Sequence, residues 1–313
     1  MGKFIYQWLC SLDMKHTLKI SLILVFLFFV SQVVGLLVTN AYIDHEASEE
    51  AGEITFEQLP YSIERPPVEQ KSSFIFIITA ILIGTVMVLL LIKFKRTFLW
   101  KVWFFLAVVV TLSIALSAFM DSYLAFFISL VLAGVKIFKP NVIVHNLTEV
   151  FVYGGLAAIF VPIMNLFAVV VLLILISIYD FIAVFKIKHM VTMAKFQTKS
   201  KVFAGLLLPY EREKAGKKFK KGVKVKRFVK TAILGGGDIG FPLLFAGVVM
   251  KGLILENGVL IGFLKTLIIP LVVSVALFLL FVKGKKDKFY PAMPFLTAGC
   301  FVGYGILWLV NLI

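Results

Sequence analysis

The chain has 313 residues, 61% of them hydrophobic, including 32 Phe, and carries a formal net charge of +15. Its mean hydropathy of +1.01 and its repeated apolar runs of the ~20 residues needed to cross a bilayer exclude a soluble globular protein. The runs are continuous and do not alternate, which also excludes an outer-membrane barrel. The expected class is an all-α, polytopic membrane protein.

Nine spans are predicted, at about 18–42, 73–93, 98–120, 122–138, 142–161, 163–187, 231–250, 259–282 and 291–313. The first is longer than the apolar core of a secretory signal, and further spans follow it, so it reads as a retained helix. Spans three and four meet at a tight turn near Asp121, and Pro162 separates spans five and six. The expected organisation is a six-span part over 1–187 carrying Asp180, a basic loop over 188–230, and a three-span part over 231–313 carrying Asp238.

Loop charge alternates. The amino terminus has Lys3, Lys15 and Lys19, whereas the first loop is acidic, with Asp44, Glu46, Glu49, Glu50, Glu53, Glu57, Glu64 and Glu69 against Arg65 and Lys71. Lys93, Lys95, Arg96 and Lys101 follow span two, and Lys136 and Lys139 end span four. Residues 186–230 hold fifteen Lys or Arg against Glu211 and Glu213, and Lys283, Lys285, Lys286 and Lys288 follow span eight. Every basic loop falls on one side, which predicts a cytoplasmic amino terminus and an extracytoplasmic carboxyl terminus. The 186–230 block is expected to meet anionic lipid headgroups. No nucleic-acid-binding motif accompanies the charge, so no nucleic-acid partner is expected.

Two acids lie inside strongly apolar spans: Asp180 in Ile178-Tyr179-Asp180-Phe181 and Asp238 in Gly235-Gly236-Gly237-Asp238-Ile239-Gly240-Phe241-Pro242. A charge at such depth costs at least ~2.5–3.5 kcal/mol on insertion scales. Asp180 falls about seven residues before the predicted cytoplasmic end of span six, and Asp238 about eight after the start of span seven. Both carboxylates are therefore expected roughly 10–12 Å below the same surface. Paired carboxylates can hydrolyse a peptide bond, one ionised to activate water and one protonated to polarise the carbonyl. Gly235, Gly236 and Gly237 would let another backbone approach Asp238 closely. Depth alone leaves two other readings open: a structural hydrogen-bonded pair, or a proton or cation relay in a transporter.

Tyr179-Asp180, Gly235-Gly236-Gly237-Asp238 and Pro291-Ala292-Met293-Pro294 resemble the YD, GxGD and PALP motifs of presenilin and signal peptide peptidase, in the same order and on the same spans of a nine-helix plan. The resemblance is specific over spans six to nine and architectural over spans one to five. It implies an intramembrane-cleaving aspartyl protease with Asp180 and Asp238 as the catalytic pair. Tyr179, the three glycines and Pro291, Ala292, Met293 and Pro294 would support the site and help accept substrate. Met293 departs from the usual leucine. The apolar pair and Pro242 after Asp238 look like signal peptide peptidase, while the charge-derived orientation matches presenilin; a stand-alone archaeal presenilin-type homologue fits both. The implied substrate is a transmembrane helical peptide, in a membrane protein or a remnant signal peptide. The resemblance leaves open partner subunits, as for presenilin, or action as a single chain, as for signal peptide peptidase.

No cofactor or metal is expected, because no cysteine–histidine cluster has metal-ligand spacing, and Cys10 and Cys300 are too differently placed to pair. His145 and Glu149, four residues apart, read as a satisfied polar pair. Lys265 is expected to snorkel outward. A prepilin-type GxGD peptidase is the alternative enzyme, although such enzymes place lysine where this chain has Gly240, and they lack the proline motif.

Overall fold

The computed structural model describes residues 18–94, 96–187, 196, 202–211, 229–284 and 290–311. Cys10, the remainder of the basic block and Lys285 to Lys288 lie outside them. Among the described residues, eight helices are long and apolar enough to cross a membrane, and Ser122–Phe138 is a shorter apolar helix. The fold is mostly helical.

In chain order, α1 (Leu18–Ala41) leads into the acidic segment. That segment is structured: β1 (Ile43–Asp44) pairs with β2 (Thr55–Phe56) around the short α2 (His45–Ala51). Asp44 caps α2 by accepting from Ala47 N, and Gly52 ends it in the left-handed region at φ 68°. Helices α3 (Ser73–Lys93), α4 (Thr97–Ser117), α5 (Ser122–Phe138), α6 (Val142–Phe160) and α7 (Leu166–Ile182) follow. Asp121, Asn141 and Asn165 cap α5, α6 and α7 with their side chains, which is why the chain turns tightly at those points. A π-helical turn over Ala183–Ile187 extends α7.

Span seven starts later than predicted. Residues 231–235 belong to strand β4 (Val229–Gly235), which pairs antiparallel with β3 (Gly205–Glu211), and α8 begins only at Gly236 and runs to Asn257. The apolar run misled because Ala232 and Leu234 are buried while Thr231 and Ile233 are exposed, a period of two hidden among apolar residues. Asp238 is thus the third residue of its helix, not the eighth. The predicted single eighth span is two helices, α9 (Val259–Thr266) and α10 (Ile268–Lys283). Pro270 has no N–H for the carbonyl of Thr266, so the ladder breaks at Leu267. The last helix, α11, spans Met293–Asn311.

The largest apolar core gathers side chains of α1, α6, α7, α8, α10 and α11, with the Phe245 and Leu243 side chains of α8 wholly buried. Many large apolar side chains outside it are exposed, as expected where lipid takes the place of water. Helices approach most closely at small residues. A Cβ on Gly155 would lie 1.8 Å from the carbonyl oxygen of Thr111, so α4 and α6 could not pack this way with any other residue there.

Candidate active site

Asp180 is the third residue from the end of α7 and is 5% exposed. Its Oδ2 accepts the backbone N–H of Met293 at 3.1 Å. Met293 is the first residue of α11, so Asp180 occupies the helix N-terminus, where unpaired amides and the helix dipole favour an anion. The flanking Pro291 and Pro294 carry no N–H, and of the two amides between them that of Met293 is the donor. One turn earlier, Ser177 and Thr297 hydroxyls meet at 2.7 Å and fasten α7 to α11.

Asp238 is half-buried in the first turn of α8. The turn begins at Gly235, and an ideal Cβ there would lie 3.2 Å from Asp238 Oδ2. Four residues on, Pro242 cannot donate to the carbonyl of Asp238. The next carbonyl, that of Ile239, accepts from the wholly buried Gln32 of α1 at 2.8 Å.

The remaining predicted residues separate. Tyr179 turns its hydroxyl to Thr85 of α3 at 3.3 Å. Gly236 packs under Tyr153 of α6, whose hydroxyl oxygen would be 2.7 Å from a Cβ. Gly237 faces the ring of Phe241 in its own helix. Gly235, Gly236, Gly237 and Gly240 line an apolar cavity of about 630 Å³ together with Ile77, Ile81 and Gly84 of α3.

The β3–β4 ribbon, which sequence reasoning missed, ends at this cavity. Its β3 edge is occupied by α6: the side-chain amide of Asn146 donates to Leu207 O at 2.8 Å and accepts from Leu207 N at 2.9 Å. Gly205 N donates to Glu149 Oε2 at 2.9 Å, and Gly205 O lies 2.8 Å from His145 Nε2. His145 and Glu149 are thus both satisfied, each on the backbone of Gly205 and with no hydrogen bond to each other; Glu149 forms its ion pair with Lys136 of α5. By the alternation of an antiparallel ladder, the backbone groups of Thr231, Ile233 and Gly235 point to the opposite edge of β4. The i, i+4 spacing on α6 was the available signal. It identifies a shared face but not what lies against it.

The family model described as signal-peptide peptidase, presenilin aspartyl protease matches residues 25–313. The chain belongs to that family. It is a multi-pass integral membrane protein of the intramembrane aspartyl protease class, which sets aside the prepilin-peptidase and transporter readings. No curated protein matches it in sequence. The fold is similar to two crystal structures, each described as of a presenilin family intramembrane aspartate protease. The C222 form has a TM-score of 0.57 at 17% identity and covers 93% of this chain and 99% of that one. The P2 form has a TM-score of 0.55 at 19% identity and covers 95% and 99%.

Proposed function

We propose that Asp180 and Asp238 are the catalytic pair of this intramembrane aspartyl protease and cleave helical transmembrane segments near their cytoplasmic ends. The reading is carried by the Gly235–Gly237 turn, where Asp238, the end of β4 and the apolar cavity adjoin. Spans α7 and α8 pack against each other, with one acid three residues from an end of each.

A peptide bond inside a helix is shielded by its own hydrogen bonds, so the substrate must unwind first. The edge of β4 offers those freed backbone groups a partner by strand addition, while the cavity accepts the part that stays helical. Because α6 occupies the β3 edge, the substrate strand adds only on the β4 side, next to Asp238. One carboxylate then takes a proton from water as the oxygen attacks the carbonyl carbon, and the other, protonated, donates to the carbonyl oxygen. Collapse of the tetrahedral diol breaks the C–N bond and returns a proton to the leaving amine. The apparent pKa values belong to the pair, so the rate against pH is bell-shaped.

Loop charge supports a cytoplasmic amino terminus, with the 186–230 block on anionic lipid headgroups. Pro291–Pro294 supports the site through Asp180 as well as bordering the substrate path.

The purified full-length chain is expected to cleave a synthetic transmembrane peptide without added subunits. Asp180→Asn and Asp238→Asn should each lose at least ~1000-fold in kcat while remaining folded, because the two roles are complementary. A peptide bearing a hydroxyl in place of the scissile carbonyl should inhibit, and a chelator should not. Activity retained in either Asn variant would exclude the pair.

A further inference from the structure

Glu149 and Lys136 are an ion pair inside the helix bundle, 1% and 3% exposed. Desolvating two charges costs several kcal/mol, and apolar residues of similar volume often stabilise such a position as well or better. Packing therefore gives no reason for a carboxylate here; its partners do. Oε1 faces the Lys136 ammonium, while Oε2 accepts both the Tyr153 hydroxyl and the Gly205 N–H.

Both Oε2 partners lead to the turn that carries Asp238. Gly205 sits opposite Gly235 in the ribbon register. Its φ of +135° belongs to glycine, and a Cβ there would lie 2.1 Å from Leu234 O and 3.0 Å from Gly236 N. Just before it, Ala204 O accepts the N–H of Gly236, the first residue of α8, at 3.1 Å. The second path is shorter: the Tyr153 hydroxyl bears directly on Gly236. Glu149 thus reaches the residue two before Asp238 by a strand and by a ring, independently.

We propose that Glu149 is a positioning residue for the hydrolysis: with its charge balanced by Lys136, its Oε2 holds Gly205 and Tyr153 so that the Gly235–Gly236 junction aims Asp238. The proposal rests on Asp238 belonging to the catalytic pair. It assigns Glu149 no contact with substrate or with the reacting atoms.

The test separates aim from stability with two double variants of the full chain, assayed on the same synthetic transmembrane peptide. Lys136→Met with Glu149→Gln removes the charges but keeps an oxygen for Gly205 and Tyr153. Lys136→Met with Glu149→Leu removes the oxygen as well. The Gln pair should keep kcat within ~3-fold of the unaltered chain, whereas the Leu pair should lose ~10–100-fold in kcat with KM changed less than ~3-fold, since displacement by an ångström is enough. The two should melt at similar temperatures. If the Leu pair does not fold, Glu149→Asp carries the same test. It keeps the charge for the long Lys136 chain but withdraws the carboxylate from Gly205 and Tyr153, so kcat should fall ~10-fold or more. Equal kcat in the two double variants, or an unchanged kcat in Glu149→Asp, overturns the proposal. Cleavage surviving in Asp238→Asn removes the catalytic pair itself, and the proposal with it. Cleavage lost there but normal in the Leu pair overturns the proposal alone.

Discussion

Asp180 on α7 accepts the backbone N–H of Met293, 113 positions later in the chain, at 3.1 Å. The side chain of Met293 is not the group that matters to Asp180, so its replacement should separate the amide from the methionine. Met293→Leu keeps N–H and volume and should leave kcat within ~3-fold. Met293→Ala keeps N–H but opens a cavity, so it should lose stability first. Met293→Pro occupies the first helical position, where proline is tolerated, yet removes the donor. It should cost ~10–100-fold in kcat. Proline and alanine variants of equal activity would show that the amide does not orient Asp180.

Gly236 and Gly237 are neighbours with different surroundings. A methyl at Gly236 meets the Tyr153 hydroxyl at 2.7 Å and two of its ring carbons at 3.2 and 3.3 Å, so the buried, hydrogen-bonded ring or the turn must shift. At Gly237 it meets only the Phe241 ring at 3.3 Å, which can swing aside. Gly236→Ala should therefore reduce kcat by ~10-fold or more, and Gly237→Ala by much less, even though alanine favours the helix at both positions. The reverse order would place the functional contact on the cavity side of the turn.

Removing one member of the buried pair is the costly change. Lys136→Met strands the Glu149 carboxylate and removes the ammonium 5.5 Å from the Phe104 ring centroid. It should destabilise the protein by about 3–5 kcal/mol, and adding Glu149→Leu should restore most of that. Unfolding in detergent reads both. A single variant as stable as the unaltered chain would mean that water reaches Glu149.

The geometry of the pair can be tested without any activity. With Cys10 and Cys300 replaced, Asp180→Cys plus Asp238→Cys should be joined by a short bifunctional maleimide. After trypsin cuts the basic 186–230 segment, the two parts should stay together on a denaturing gel. The control couples Leu173→Cys, about two turns along α7 and fully buried, with the same Asp238→Cys. Equal joining of both pairs, or none at 180–238, would exclude facing aspartates.

The amino-acid sequence by itself determined the class and the apolar segments, and it singled out Asp180 and Asp238. Those features follow from composition, run length and the cost of a charge in hydrocarbon, all of which are local. The short motifs were legible for the same reason: Gly235 to Asp238 and Pro291 to Pro294 are contiguous. Sequence could not separate the end of an apolar strand from the start of an apolar helix, so the chain from 231 to 235 read as membrane span when it is the second strand of a ribbon. Nor could it foresee that Glu149 would meet Lys136 of another helix, or that Met293 would offer its amide to Asp180. Only tertiary structure decided those, because hydrogen-bond partners on different helices are chosen by which groups the packed helices bring within reach.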